Sequence, residues 1–584
     1  MHTYKERIRD MGVDFAEKKA RIMVYTRETI EGEYPDGLAR SIHFACSLDG
    51  KNYEAMNGNY GILFAKAVVS EEDTICPKGV RDPRIFALPQ GGFAIAAVRV
   101  NEDGSADGES EGKLLYWTTA DFKEFKELGL SDCGQTELSG HPCMASLREE
   151  SADSLTVFDG KLPEGAVAGN AAEVSRSLCD RAALHWSRLT SVGVRVPERM
   201  QAGSADDVEA VQAAVMYSDG SSALKQVKWE TEKIDFNSPG TYRIGGTVIN
   251  EQYSFPLACG YGDPVIFPWE GRYYFIATDD NRNDVGFYVR ESEDVAGLFK
   301  EDTKQHLILP LDEERGFVQT FWAPEFHVIG GELYILFAVS GTKWGPQCHL
   351  MKLKKGGSLT DPESWEEPVR IRRMDASPLT EDGITLDMTY LKTGERSYYI
   401  WSYRRNIGTA LDTGSMLYIA AVDESAPWQL ASEPVLLTRP LYGWENVNHT
   451  INNEGPYAFT ANDKVYLTYS GGAADGYTYA LGLLTAKAGA DLLDTGVWSK
   501  AGTPVLSYYS VEGEYGPGHN SFFTDAQGNL MIAYHAEDAL DHHIRCDGIH
   551  RVHFNIQGEP VFDMAAHRDL DPALAGVEME VVVG

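Results

Sequence analysis

The chain has 584 residues, with 52 Lys and Arg against 87 Asp and Glu and a formal net charge of −35. Such a surface repels nucleic acid and anionic membranes and tolerates a neutral ligand such as a sugar. With 43% hydrophobic and 11% aromatic residues, a sizeable core and several domains are available.

Residues 1–20 read as a charged helix. The N-terminus has no uninterrupted apolar stretch and no small-residue cleavage site, so no signal peptide is expected. No run of 18 apolar residues occurs, so no membrane span is expected. The eight cysteines lack metal spacing and read as reduced, part-buried thiols rather than a disulfide framework. Together these predict a cytoplasmic protein; a secreted chain without its leader reads the same way.

An N-terminal β region is expected over 1–145, with strands such as ARIMVYTRE, DPRIFALPQGGFAIAAVRV and KLLYWTTADFKEF bounded by Gly, Asp and Asn turns. A connecting segment over 146–187, rich in Ala, Glu and Ser, reads as part helix. Residues 188–250 return to short alternating strands, with Ser218-Asp219-Gly220-Ser221 as a hairpin turn. The string MYSDGS…VKWETEKIDFNSPGTYRIGGTV resembles bacterial immunoglobulin-like domains. The resemblance implies a β-sandwich that serves as a spacer or packing module.

From 253 to 570 a loose repeat of roughly 60–70 residues sets in, the mark of a propeller. Its units open with GDPVIFPWEGRYYFIATD, WAPEFHVIGGELYILFAVS, LDMTYLKTGERSYYIWSY, EGPYAFTANDKVYLTYSGG and GHNSFFTDAQGNLMIAYHA. The expected fold is therefore mainly β: an N-terminal β region and an immunoglobulin-like sandwich, then a five-bladed β-propeller. Innermost strands of a propeller surround a channel, and their starts converge at one mouth. That would gather Asp263, Trp322, Asp387, Glu454 and His519 into one pocket.

Glycosidic cleavage needs a proton donor for the leaving oxygen and a second carboxylate across the ring. The donor must stay protonated near neutral pH, which burial and a neighbouring carboxylate achieve together. Three acids therefore make sense as a base, an acid and a group that tunes the acid. Glu454 stands out, since an acid between Asn453 and Gly455 opening an apolar strand is costly unless it faces a polar channel. Trp322 is a candidate floor for a sugar ring.

The five openings, in this order and spacing, resemble the family 43 glycoside hydrolases. The resemblance implies Asp263 as general base, Glu454 as general acid and Asp387 as the modulator that orients Glu454. It implies inversion, with acid and base separated by about 6.5–9.5 Å to admit a water. It implies no required cofactor. His519 is read either as a residue near a structural calcium of the channel or as a histidine hydrogen-bonded in the core. Arg551, in Asp547-Gly548-Ile549-His550-Arg551, resembles the late arginine that reaches the pocket in arabinose-releasing members. The implied partner is a carbohydrate, with release of terminal α-L-arabinofuranosyl groups. β-Xylosidase, β-galactofuranosidase and a non-catalytic carbohydrate-binding propeller stay open. Asp82, in Arg81-Asp82-Pro83-Arg84-Ile85-Phe86, imitates Asp263 but lacks partner acids and is read as structural.

Overall fold

The computed structural model describes residues 19–132, 160–250, 253–540 and 542–584. Most of the expected N-terminal helix lies outside the described residues, as do the end of the expected N-terminal β region, with Cys133 and Cys143, and the first part of the connecting segment.

The chain divides into two units. The first comprises Met1–Thr29, Ala39–Ala65 and Gly79–Ser187 and holds two four-stranded sheets. In one, Lys19–Arg27 lies between His43–Ser47 and Ala166–Ser175. The Ala-rich stretch read as part helix is thus a strand as far as Ser175, and the helix runs over Arg176–His185. Pairing along Lys19–Arg27 overrides the helical propensity of alanine. The Ser175 hydroxyl accepts the Leu178 amide and fixes where the helix starts. A Cys46–Cys179 disulfide ties this helix to the sheet.

The second unit comprises Arg188–Gly584 together with Ile30–Leu38 and Lys66–Lys78. The region expected as one block over 1–145 is therefore split. The Ala67 amide donates to Leu441, and the Asp73 carboxylate accepts from Arg405 and Arg439. Ties over such distances leave no local mark in sequence.

Within this unit, Ser191–Arg195, Ala213–Tyr217 and Ser222–Lys225 form a three-stranded sheet. Arg199–Gln201, Gly576–Val583, Gly240–Val248 and Val227–Trp229 form a four-stranded one. Val215, Tyr217, Trp229, Ile244 and Val581 share one core between them. The last strand of the chain thus completes a module that begins almost 400 residues earlier, a return that sequence reading did not include.

Five four-stranded sheets follow, each antiparallel and in chain order. Their first strands are Tyr261–Trp269, Gln319–Ile329, Gly383–Thr393, Asn453–Ala461 and Tyr515–Thr524. Each first strand packs on the next, and the fifth packs on the first, so the sheets close into a ring. The second strand Arg272–Asp279 shows why its middle, Tyr273 to Ala277, has no polar alternation. Tyr274 and Ile276 enter the core shared with the second sheet, while Tyr273 and Phe275 enter the core shared with the fifth. Successive side chains point to opposite faces, and both faces are covered. Each such buried side chain contributes about 1.5–3 kcal/mol.

The ring is also closed by backbone. Leu257 donates to Asp547, Asp547 to Ala258, and Gly260 to Arg545. A Cys259–Cys546 disulfide lies on this seam. The two disulfides overturn the expectation of reduced thiols for four of the cysteines. Their partners are 133 and 287 residues apart, so no spacing rule marks them. Cys76 and Cys348 are free thiols. Among the described residues no helix is long and apolar enough to cross a membrane.

Candidate active site

Every first strand of the ring carries a β-bulge at the same place. Pairing with the second strand skips between Gly262 and Val265, Trp322 and Glu325, Leu386 and Thr389, Glu454 and Tyr457, and Gly518 and Ser521. At each bulge one residue has positive φ: Asp263 (57°), Ala323 (46°), Asp387 (53°), Gly455 (54°) and His519 (42°). For the four that are not glycine this conformation costs about 1–2 kcal/mol each. The ring offsets the cost by hydrogen bonding. Four of the five bulge amides donate to a side chain of the preceding sheet: Asp263 to His535, Ala323 to Thr278, Gly455 to Asp387, and His519 to Ser470. The bulges re-aim side chains at the strand starts toward one mouth of the ring.

A cavity of about 860 Å³ opens there, lined by Asp263, Trp322, Asp387, Glu454 and His519 among others. The structure thus brings five of the six residues singled out from sequence together. Asp263 is buried and the most heavily partnered of the acids. Its Oδ2 accepts the Thr278 hydroxyl at 2.5 Å, and its Oδ1 lies 3.1 Å from Arg545 Nη1 and 3.0 Å from His519 Nδ1. Burial works against its charge, but His519 and Arg545 outweigh it and hold the carboxyl well below the usual range. His535 lies beside it yet is a neutral acceptor. Its Nδ1 takes the Asp263 amide at 3.1 Å, its Nε2 faces the Ala474 carbonyl at 3.0 Å, and burial drives its pKa down to about 3.

Asp387 Oδ2 accepts the Gly455 amide at 3.1 Å and the Ser402 hydroxyl at 3.2 Å. It therefore grips the backbone directly after Glu454. Burial raises its pKa to about 6, with the Asp263 charge adding to the rise and His519 opposing it. Glu454 Oε1 accepts the Tyr479 hydroxyl at 3.0 Å. Burial and then the Asp387 charge raise its pKa to about 7. One acid is thus held anionic and another is kept protonated near neutrality, within one cavity.

His519 is buried, which disfavours its charge, but Asp263, Asp387 and Glu454 outweigh burial and raise its pKa. Gly455 leaves room for this ring: a Cβ there would stand 2.8 Å from His519 Cγ. The Nδ1 of His519 is engaged with Asp263, and among the described residues no group of three or more His, Cys, Asp or Glu is arranged to hold a metal ion. The Trp322 indole lines the cavity and donates to Asp284 Oδ2 at 2.9 Å.

Arg551 is not in the cavity. Its guanidinium pairs with Asp569 and reaches the Tyr217 hydroxyl, joining the fifth sheet to the immunoglobulin-like module. The cavity arginine is Arg545, which bonds both Asp263 and Asp280. The third strand of the fifth sheet starts at Cys546. Residue 545 sits at the mouth, whereas residue 551 lies about 20 Å further along an extended strand. Gly262 makes way for Arg545, since a Cβ there would lie 2.0 Å from its Cζ. Tyr479, Thr278 and Ser402 were also missed. Thr278 and Ser402 lie on second strands and Tyr479 immediately precedes a third, where nothing local separates them from sheet packing.

Asp82 repeats the local backbone of Asp263, with φ of 52°, in the strand Lys78–Ala87. Its carboxylate is exposed and pairs with Arg81.

Comparison with known proteins adds to this geometry. The family model for glycosyl hydrolases family 43 matches residues 256–560, and that for a bacterial Ig-like domain (group 4) matches 211–251. A protein named extracellular exo-α-(1→5)-L-arabinofuranosidase from Streptomyces avermitilis is 31% identical over 332 residues, which is 55% of this chain and 65% of that one. One of the same name from Streptomyces chartreusis is 31% identical over 286 residues, 49% of this chain and 82% of that one. A solved α-L-arabinofuranosidase from Lactobacillus brevis is 30% identical, over 53% of this chain and 96% of that one, with a TM-score of 0.47. The chain thus spans just under two thirds of the Streptomyces avermitilis relative.

Proposed function

The chain belongs to glycosyl hydrolases family 43, and from that premise we propose that it hydrolyses terminal α-L-arabinofuranosyl linkages with inversion. The ring of five sheets is read as a five-bladed β-propeller whose channel mouth is the active site. The observation that carries the reading is the division of labour among the acids: Asp263 is held anionic while Glu454 titrates at about 7.

In this mechanism Asp263 takes a proton from a water as that water attacks the anomeric carbon. Glu454 gives its proton to the leaving glycosidic oxygen, so the departing chain leaves neutral. Asp387 acts on Glu454 through its charge and through the Gly455 amide. Arg545 and His519 keep the base ionised, and Trp322 offers a face to the sugar.

The two Streptomyces relatives, named as exo-α-(1→5)-L-arabinofuranosidases, support the choice of sugar. The two disulfides favour an oxidising, extracytoplasmic setting over the cytoplasmic one expected from sequence. NMR of the first anomer released from arabinan oligosaccharides tests the reading. β-Arabinofuranose is expected from an α-linkage. Initial release of the α-anomer would overturn inversion, and release of xylose from xylobiose with no arabinose from arabinan would overturn the sugar.

A further inference from the structure

A second cavity, of about 580 Å³, opens on the same end of the ring between the second and third sheets. It shares a strand with the first. Leu386 and Asp387 line the central cavity, and Gly383 and Ile384, at the start of that strand, line the second. Ile384 and Leu386 are two residues apart and face the same way, about 7 Å along the strand. The two cavities are also joined by a hydrogen bond: Arg404 of the second donates to Asn452 of the first at 3.2 Å.

The walls of the second cavity suit a sugar. Trp344, Pro378, Ile384 and Ile407 give it aromatic and aliphatic surface, and Asp382 and Asn406 give it polar groups. Sugar rings pack their C–H faces on the first kind of surface and hydrogen-bond to the second. Trp344 is held in place: the Arg370 guanidinium lies 5.6 Å from its ring, and His349 stacks on it with centroids 5.9 Å apart.

The charges of the cavity are balanced. Arg404 is forked by Asp412, and Arg405 is paired with Asp73 at 2.8 Å. The remaining Lys343 and Arg370 stand against Glu381 and Asp382. A neutral ligand therefore fits better than an anionic one. Asp73 lies between the short strands Val68–Val69 and Ile75–Cys76, whose hairpin packs on the ring although it comes from the N-terminal third of the chain. That hairpin orients one wall of the cavity through Arg405.

We propose that this cavity is a subsite for the neutral glycan chain that carries the sugar being released, and that Trp344 is its platform. The inference rests on the glycosidase reading and adds to it a preference for substrates extended beyond one sugar. The test compares kcat/KM on α-1,5-linked arabinotetraose with kcat/KM on 4-nitrophenyl α-L-arabinofuranoside, whose activated leaving group needs little help from the chain. In Trp344→Ala the ratio of the two is expected to fall about tenfold, mainly through a higher KM for the tetraose. Because Trp344 also packs on Gly341, a second variant, Ile407→Arg, blocks the cavity from its exposed rim and is expected to lower the ratio as well. An unchanged ratio in Ile407→Arg, or an equal loss on both substrates in both variants, would overturn the subsite. A wild-type chain that turns over neither substrate would instead overturn the glycosidase reading beneath it.

Discussion

Glu454 and Asp387 are neighbours in charge as well as in space, which makes their roles separable by pH. The base must be ionised and the acid protonated for turnover, so kcat/KM is expected to fall as pH rises through the Glu454 value of about 7. The Asp387 charge is part of what raises that value. Replacing Asp387 with Asn removes the charge, so the alkaline limb of the profile should move to lower pH. An alkaline limb that stays in place would show that Asp387 does not tune the acid. Glu454→Gln should lower kcat by roughly 10²–10⁴-fold on oligosaccharides while binding persists, measured by calorimetry with the same sugars. Activity near the wild-type level in that variant would reassign the acid. At this scale Glu454 was marked in sequence because a carboxylate opening an apolar strand has few structural uses, whereas Asp263 and Asp387 were marked only by the order and spacing of the five strand openings. Arg545 was not legible. It sits in the loop segment His542-His543-Ile544-Arg545, and only the direction of the next strand tells which of two nearby arginines faces the mouth.

The element that makes the site is the bulged first strand rather than any one side chain. Alternation of aromatic and aliphatic residues announced the strands, but the bulges were not announced. A single extra residue changes register without changing composition, and Asp263, Ala323, Asp387 and His519 all adopt a conformation that their side chains disfavour. For Asp263, Ala323 and His519 what permits it is a side chain of the preceding sheet, which lies 272, 45 and 49 residues away in sequence. Gly455 is where the fit is tightest. Gly455→Ala adds a Cβ at a φ of 54° and 2.8 Å from the His519 ring. The expected cost is about 1–3 kcal/mol, read as a lower urea midpoint. Since His519 supports Asp263, kcat/KM should fall at least tenfold as well. Gly271, with a φ of 80° and open space around it, is the comparison. Gly271→Ala should cost about 1 kcal/mol of backbone strain, read as a lower midpoint, without changing kcat/KM. Equal effects of the two on turnover would mean that the His519 contact does not matter.

On the scale of the molecule, a ring of sheets has one place where chain continuity does not hold it, the seam between the last sheet and the first. Here the seam crosses the site itself. Asp263 belongs to the first sheet, and Arg545, which holds it ionised, to the fifth. The backbone bonds of Leu257 and Gly260 to Asp547 and Arg545 close it, and Cys259–Cys546 covalently locks it over a separation of 287 residues. The closure could not be read from cysteine spacing, because its logic is that of a ring and appears only once the five sheets are placed. Cross-linking so long a segment restricts the unfolded chain strongly, so loss of this bond should destabilise the second unit by roughly 2–5 kcal/mol. Cys259→Ser is expected to lower the urea midpoint and the temperature at which activity is lost. Cys46→Ser breaks the other disulfide, in the first unit, and should leave thermal inactivation unchanged. If the two variants inactivate alike, or if Cys259→Ser is as heat-resistant as the parent, the disulfide does not secure the seam. The seam would then rest on its hydrogen bonds and on the packing of Phe275 and Ile266 against Phe523 and Met531.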